Sequence, residues 1–182
     1  IWTTTPWTMP GNRAVAYGKD IDYTLLEITS VSENSLAKIG DKIVVATQLL
    51  EEAIKELYIL DYNVSKKLKG SEFEGSILAH PLNGYGYDHD VLLLEADFVT
   101  TDQGTGFVHI APGHGADDFE LGKKHNLPIP ETVSDNGILE NKLPLFGGLR
   151  VLKDNEKIAD IMSEHNALIG RGTFNHSYPC LL

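Results

Sequence analysis

Two β-prone runs, residues 13–19 and 23–30, are rich in Val, Tyr, Thr and Ile, with few charged positions between their ends. That pattern predicts two strands, joined through the turn-prone Asp20-Ile21-Asp22. Residues 42–46 read as a third strand. Over residues 48–58 the period changes: Leu49, Leu50, Ala53, Ile54 and Leu57 recur at helical spacing, with Thr47 as the expected N-cap. Residues 64–73 alternate weakly and read as a strand, and 80–87 as a loop around Pro81. Residues 90–100 are apolar and β-prone, and 104–111 form a short strand entered through glycines. A helix is predicted over 116–125, stopped by Asn126 and Pro128. Asp135-Asn136-Gly137 signals a hairpin, and residues 154–165 form a last amphipathic helix carrying Ile158, Ile161 and Met162. Many short strands with a few helices, and no internal repeat, predict a single α+β domain with a barrel-like, mostly antiparallel β core and peripheral helices.

Composition narrows the function. With 182 residues, 42% of them hydrophobic, the chain can bury a core of its own. It lacks an initiator Met, so it is expected to be a piece of something larger. No apolar run approaches the ~20 residues needed to span a bilayer, so no membrane partner is expected. Cys180 stands alone, which excludes an internal disulfide. Fifteen basic residues face 26 acidic ones, a net charge of −11. An autonomous nucleic-acid binder carries a basic face. If this chain acts on a nucleic acid, most of the phosphate grip must come from elsewhere.

Two stretches depart from ordinary core patterning. The first is the opening, Trp2-Thr3-Thr4-Thr5-Pro6-Trp7-Thr8-Met9-Pro10-Gly11-Asn12, in which seven of eleven residues carry a hydroxyl, an amide or an indole N–H. Pro6 and Pro10 would interrupt any strand ladder. A turn-rich strand end lined with hydroxyls suits a polar ligand. The second stretch runs from Gly104 to Asp118 and carries His109, His114, Asp117 and Asp118 around a Pro-Gly turn. One aspartate in the first turn of a helix is ordinary dipole stabilisation; the pair together with two histidines asks for more. His114 and Asp118, four apart, are spaced to share a helix face near His109, which admits a metal site. Against it, catalytic zinc needs three protein ligands in tight geometry, and the Gly-Pro turn separates His109 from the helix. A Ser-His-Asp triad lacks its nucleophile elbow.

These two motifs, in this order and spacing, resemble the editing domain of isoleucyl-tRNA synthetases, with Trp-Thr-Thr-Thr-Pro-Trp-Thr and Pro-x-Asn first and Gly-Thr-Gly-x-Val-His, Ala-Pro and Asp-Asp second. The closing His176-Ser177-Tyr178-Pro179 resembles the point where such a chain re-enters the synthetase body. The valyl and leucyl sister enzymes carry Thr-Thr-Arg-Pro at the first motif, and Thr5 here stands in place of their Arg. Such a domain hydrolyses valine wrongly attached to isoleucine tRNA. A hydrophobic pocket separates amino acids one methylene apart by only ~1–3 kcal/mol, a general figure for which isoleucyl-tRNA synthetases are the standard example, so such a family needs a second, hydrolytic pocket.

The resemblance implies roles for particular residues. Asp118 pairs with the substrate α-ammonium, in keeping with the chemistry of a charge-assisted bond. His109 walls the side-chain pocket and excludes isoleucine. Thr3, Thr4, Thr5 and Thr8 line its floor, with Thr4 and Thr5 nearest the ester, and Asn12 lies by the scissile bond. Trp7 and His114 complete the substrate-binding set, Trp7 as an apolar wall or a stacking surface for the terminal adenine. Thr4, Thr5, Asn12 and Asp118 form the expected catalytic set. The implied mechanism uses a positioned water, with no covalent enzyme nucleophile. The resemblance implies no cofactor and no metal here; ATP, and zinc where present, belong to the parent enzyme. The implied partners are the 3′ end of mischarged isoleucine tRNA, valyl-adenylate and the rest of the synthetase in cis, in the cytoplasm. The alternatives are the editing domain of a valyl or leucyl sister enzyme and a non-hydrolytic module that binds the tRNA 3′ end.

Overall fold

The structure is a computed structural model, and it describes residues 1–172. The closing motif at 176–179 and Cys180 lie outside the described residues. Among the described residues, seven strands form two sheets. Strands β1 (Ala14–Tyr17), β5 (Ile77–Ala79), β6 (Asp90–Glu95) and β7 (Phe107–Ile110) make a four-stranded sheet in the order β5-β6-β1-β7. Strands β2 (Asp22–Val31), β3 (Lys42–Ala46) and β4 (Ile59–Lys69) make the other, in the order β3-β2-β4. Only β1–β6 is parallel; every other pair is antiparallel. Helices α1 (Leu50–Glu56), α2 (Ala116–Lys124) and α3 (Asn155–Glu164) lie around the sheets. The architecture is α+β with a mostly antiparallel core.

β1 is buried along its whole length because both of its faces are covered. Val15 and Tyr17 pack with Tyr23, Val45, Ala46 and Leu49 between the sheets. Ala14 and Ala16 face Ile110 and Leu121 on the side of α2. The sheets are tied by Tyr23, whose hydroxyl donates to Gly106 O at 2.7 Å and accepts from Gly18 N–H at 3.1 Å. A third cluster, Met9, Leu82, Tyr87, Leu139, Phe146, Ile158 and Met162, anchors α3 beneath the opening segment.

Several boundaries differ from the periodicity reading. Residues 6–11 form a 3-10 helix, Pro6–Gly11, where a strand end was expected, with Pro6 in its first turn and Thr8, Met9, Pro10 and Gly11 buried; proline's fixed φ favours that position. Thr47 does not cap α1. A short 3-10 turn, Thr47–Leu49, comes first, and the Thr47 hydroxyl bonds that of Thr24 at 2.9 Å. α1 ends at Glu56 because Tyr58 turns into the left-handed region at φ 55°, and β4 then starts at Ile59, ahead of the predicted 64. β4 stops at Lys69 because Gly70 lies against the Gly18 carbonyl, where a Cβ would come within 2.0 Å; residues Gly70–Phe73 form a 3-10 turn. β6 ends at Glu95, where the chain turns and Val99 N–H bonds Ala96 O. β7 begins only at Phe107, since Gly104 and Gly106 take positive φ. The Asp135-Asn136-Gly137 turn closes as predicted, flanked by a bridge between Val133 and Leu139. α2 and α3 lie within a residue of their predicted limits.

Candidate functional site

The antiparallel register of β1 on β7 joins the two motifs. Ala14 faces Ile110 and Val15 faces His109. Arg13 N–H donates to Ile110 O at 3.0 Å, so the chain just before β1 is pinned beside the end of β7. The 3-10 turn Pro6–Gly11 therefore lies over His109, and Gly11 packs on the ring of His114: a Cβ there would sit 3.3 Å from His114 Cδ2.

Asn12 and His109 lock this junction. The Asn12 amide donates to Ala14 O at 2.9 Å and to His109 Nδ1 at 2.6 Å, and lies 3.4 Å from Ile110 O. Two carbonyl partners identify that atom as the NH2 group, so His109 Nδ1 accepts. The network thus assigns His109 the neutral tautomer with its proton on Nε2. That N–H donates to the Thr8 hydroxyl at 3.0 Å, and Thr8 passes its own hydrogen to Thr5 O at 2.9 Å. Asn12, Thr8 and His109 are buried, His109 to 8% exposure. Burial pushes the His109 pKa down to about 4, with nearby positive and imidazole groups adding to it. With both nitrogens engaged and no charge near neutral pH, His109 cannot act as a general acid or base as it stands. It presents a ring edge and holds the turn.

A second buried histidine supports the turn from below, one that the sequence reading missed. His80 Nδ1 accepts from Leu82 N–H at 3.1 Å, and its Nε2–H donates to Met9 O at 3.0 Å. Its ring stacks on Tyr87 at 4.8 Å, and burial lowers its pKa to about 4. Nothing in a His-Pro dipeptide inside a turn-rich stretch distinguishes this role from an exposed loop residue.

The threonines divide by what their hydroxyls do. Thr3 Oγ1 accepts from Thr5 N–H at 3.1 Å and lies 3.3 Å from Thr5 Oγ1, so both stabilise the entry to the turn. Thr8 is fully used. Thr4 is half-buried, and its side chain makes no hydrogen bond among the described residues.

Asp118 sits in the first turn of α2, half-buried, and accepts from Ala111 N–H at 2.7 Å. It thereby ties α2 to the end of β7. Among the described residues no cation pairs with it. Burial pushes its pKa up, and the Ala111 N–H opposes that. Asp117 is exposed. His114 does not share a helix face with Asp118: α2 begins after Gly115, which is extended at φ −155°. His114 instead turns to the buried Thr132, 2.5 Å from its hydroxyl, and meets Trp7 edge-on at 5.1 Å. Among the described residues no three His, Cys, Asp or Glu side chains gather to hold a metal ion. Trp7 is half-buried beside the α3 cluster, and its indole N–H is buried without a partner among the described residues.

The structure thus brings together Thr5, Thr8, Asn12 and His109 in one network, with Asp118 of α2 bonded to the chain just beyond β7 and Trp7 and His114 alongside. The family described as leucyl-tRNA synthetase, editing domain, matches residues 29–163. The isoleucine–tRNA ligase of Gluconobacter oxydans is 43% identical over 98% of this chain, which spans 20% of that protein. That of Pelagibacter ubique is 45% identical over 98%, spanning 19%. The chain therefore covers about a fifth of the length of these relatives. In structure it is similar to GlLeuRS-CP1, with a TM-score of 0.70 at 15% identity over 94% of this chain and 83% of that one. The P. knowlesi cytosolic leucyl-tRNA synthetase editing domain aligns with a TM-score of 0.55 at 15% identity, over 90% of this chain and 68% of that one.

Proposed function

The chain belongs to the synthetase editing-domain family, and from that premise we propose that it is the part of an isoleucine–tRNA ligase that hydrolyses valine mischarged onto isoleucine tRNA. The observation that carries this reading is Asp118, a half-buried carboxylate held by backbone N–H groups and with no cation of its own among the described residues. Desolvating a charge without a partner is costly. The α-ammonium of an aminoacyl ester would supply the missing partner, and an ester without an amino group would not. The relatives named as isoleucine–tRNA ligases support isoleucine tRNA as the carrier, and Thr5 in place of the sister enzymes' Arg supports the same choice.

The mechanism follows from which groups remain available. Thr8, Asn12 and His109 are saturated and hold the floor rigid. Thr4 keeps an uncommitted hydroxyl beside that floor, suited to orient a water or the ester oxygen. Asp118 fixes the amino end of the substrate. The ester is already activated, so orientation and electrostatic stabilisation supply the rate. His109 contributes the ring edge that limits the size of the amino-acid side chain.

The test is deacylation by the full enzyme carrying Asp118→Asn. Valyl-tRNA hydrolysis should fall about a hundredfold or more, the scale of losing a fixed charge-assisted contact in the transition state. Isoleucine charging should persist. A variant that clears valyl-tRNA at the parent rate overturns the reading. His109→Ala should admit isoleucyl-tRNA to hydrolysis, and unchanged rejection of isoleucine removes His109 from the gate.

A further inference from the structure

We propose that Arg13, with His89 beside it, is a seat for a phosphate group at the rim of the threonine floor. This rests on the deacylase reading above and deepens it by naming how an acidic domain grips the nucleotide end of its substrate. Arg13 directly follows Asn12, and its backbone is fixed by Ile110 O. Its guanidinium is half-buried. Nη1 donates to the Asn12 carbonyl and lies 3.4 Å from Pro10 O and 3.0 Å from His89 Nε2. His89 Nε2 also lies 2.9 Å from Asn12 O.

What is missing from these contacts is a carboxylate. Lys19, Lys42, Lys66, Lys69, Lys157 and Arg171 all pair with acids. Arg13 pairs with none among the described residues, although the chain carries 26 acidic side chains. Asp88, next to His89, is instead engaged by Gly84 N–H. Burial lowers the Arg13 pKa, so its charge is desolvated without an acid to repay it. The carbonyl contacts use only one of its two terminal nitrogens; Nη2 and Nε have no partner among the described residues. A guanidinium with a free edge is the group best shaped to take two phosphate oxygens.

Position argues for the same ligand. The Asn12 side chain reaches His109 in the floor, while its carbonyl carries Arg13 and His89. A group bound by Arg13 therefore lies one residue from the floor. An aminoacyl ester on a terminal ribose carries its nearest phosphate on that same nucleoside. Two sources share this chemistry: the last phosphodiester of an RNA 3′ end, and the phosphate of an aminoacyl-adenylate.

The experiment uses the full enzyme with Arg13→Gln, which removes the charge and keeps an amide for the Asn12 carbonyl, and Arg13→Lys, which keeps the charge. Equilibrium binding of adenosine, adenosine 5′-monophosphate and the dinucleotide CpA is measured first, independent of hydrolysis, followed by KM for valyl-adenosine and valyl-CpA. Arg13→Gln should weaken CpA roughly tenfold, the scale of one bond to a charged group, and leave adenosine unchanged. The salt slope for CpA should become shallower by about 0.7, one single-strand phosphate contact. Arg13→Lys should recover part of the loss. Loss confined to CpA assigns the RNA phosphodiester, and loss confined to the monophosphate assigns the adenylate. Equal loss for adenosine and both phosphates, or no loss, overturns the seat and leaves Arg13 as a prop for Asn12. If the phosphate preference is present but no ester is hydrolysed, the deacylase reading fails and the seat stands.

Discussion

Acidification from pH 7 to pH 5 should weaken this fold through two buried histidines, His80 and His109. Each has a pKa lowered from 6.5 to about 4 by burial. The folded state thus binds fewer protons than the unfolded chain between those values. Such groups stabilise the fold above pH 6.5, and that contribution is lost as pH falls toward 4. At pH 5 each unfolded imidazole is almost fully protonated and each folded one is about a tenth protonated, which makes the loss about 2 kcal/mol per histidine. Near pH 5.5 each should contribute a slope of about 1.2 kcal/mol per pH unit. His114, lowered by burial as well, adds to the same sign. Asp118 opposes it, since a raised carboxyl pKa favours the fold on acidification. Both losses together, about 4 kcal/mol, approach the lower end of the stability of an ordinary domain, about 5–15 kcal/mol. The assay is urea unfolding of this chain at pH 7, 6, 5.5 and 5. The midpoint should fall throughout, and His80→Gln should remove about half of the slope while losing the Met9 bond. A midpoint that stays level from pH 7 to 5, or a His80→Gln variant with the parent slope, refutes neutral histidines as the lock on the turn.

Two substitutions probe the packing on either side of that lock. Gly106→Ala should cost about 2 kcal/mol or more, because Gly106 sits at φ 75° and a Cβ would lie 2.4 Å from Ala46 Cβ; the melting temperature should fall by about 4–8 °C, and an unchanged one would show that the two sheets do not meet there. Trp7→Phe removes an indole N–H that is buried without a partner among the described residues. Relief of that desolvation, about 1–3 kcal/mol, should offset much of the lost packing and keep the loss in chemical unfolding near 1 kcal/mol; a loss of several kcal/mol would mean that the N–H is well bonded.

The two motifs were readable in the sequence because polar groups in apolar surroundings mark themselves, and the β1–β7 pairing that joins them follows from two plain strands. Less readable was the shape of the first motif. Threonine's β-preference points to a strand, whereas Pro6 favours a helical first turn, and burial of Thr8, Met9 and Pro10 decided for the 3-10 turn. The end of α1 was hidden because Tyr58 takes a left-handed conformation without being Gly or Asn. His80 could not be found from spacing: its importance lies in two backbone partners, Met9 O and Leu82 N–H, and one of them is 71 residues away. His114 was misplaced because a four-residue interval implies a shared helix face only if both residues are helical, and Gly115 breaks that condition.

Charge is arranged in this floor by what is kept neutral as much as by what is charged. A protonated His109 or His80 would repel the ammonium that Asp118 is suited to receive. Burial holds both rings uncharged near neutral pH, and their N–H groups are spent on Thr8 and Met9. Arg13, a cation beside this floor, is folded back over the Pro10 and Asn12 carbonyls, whose dipoles offset its field toward the floor. An aminoacyl nucleotide has the complementary pattern, an ammonium at one end and a phosphate at the other with a neutral ester between them. A floor with a carboxylate, a neutral hydrogen-bonded centre and a guanidinium would orient that ligand before any reaction begins, and orientation is the larger part of what an already activated ester needs.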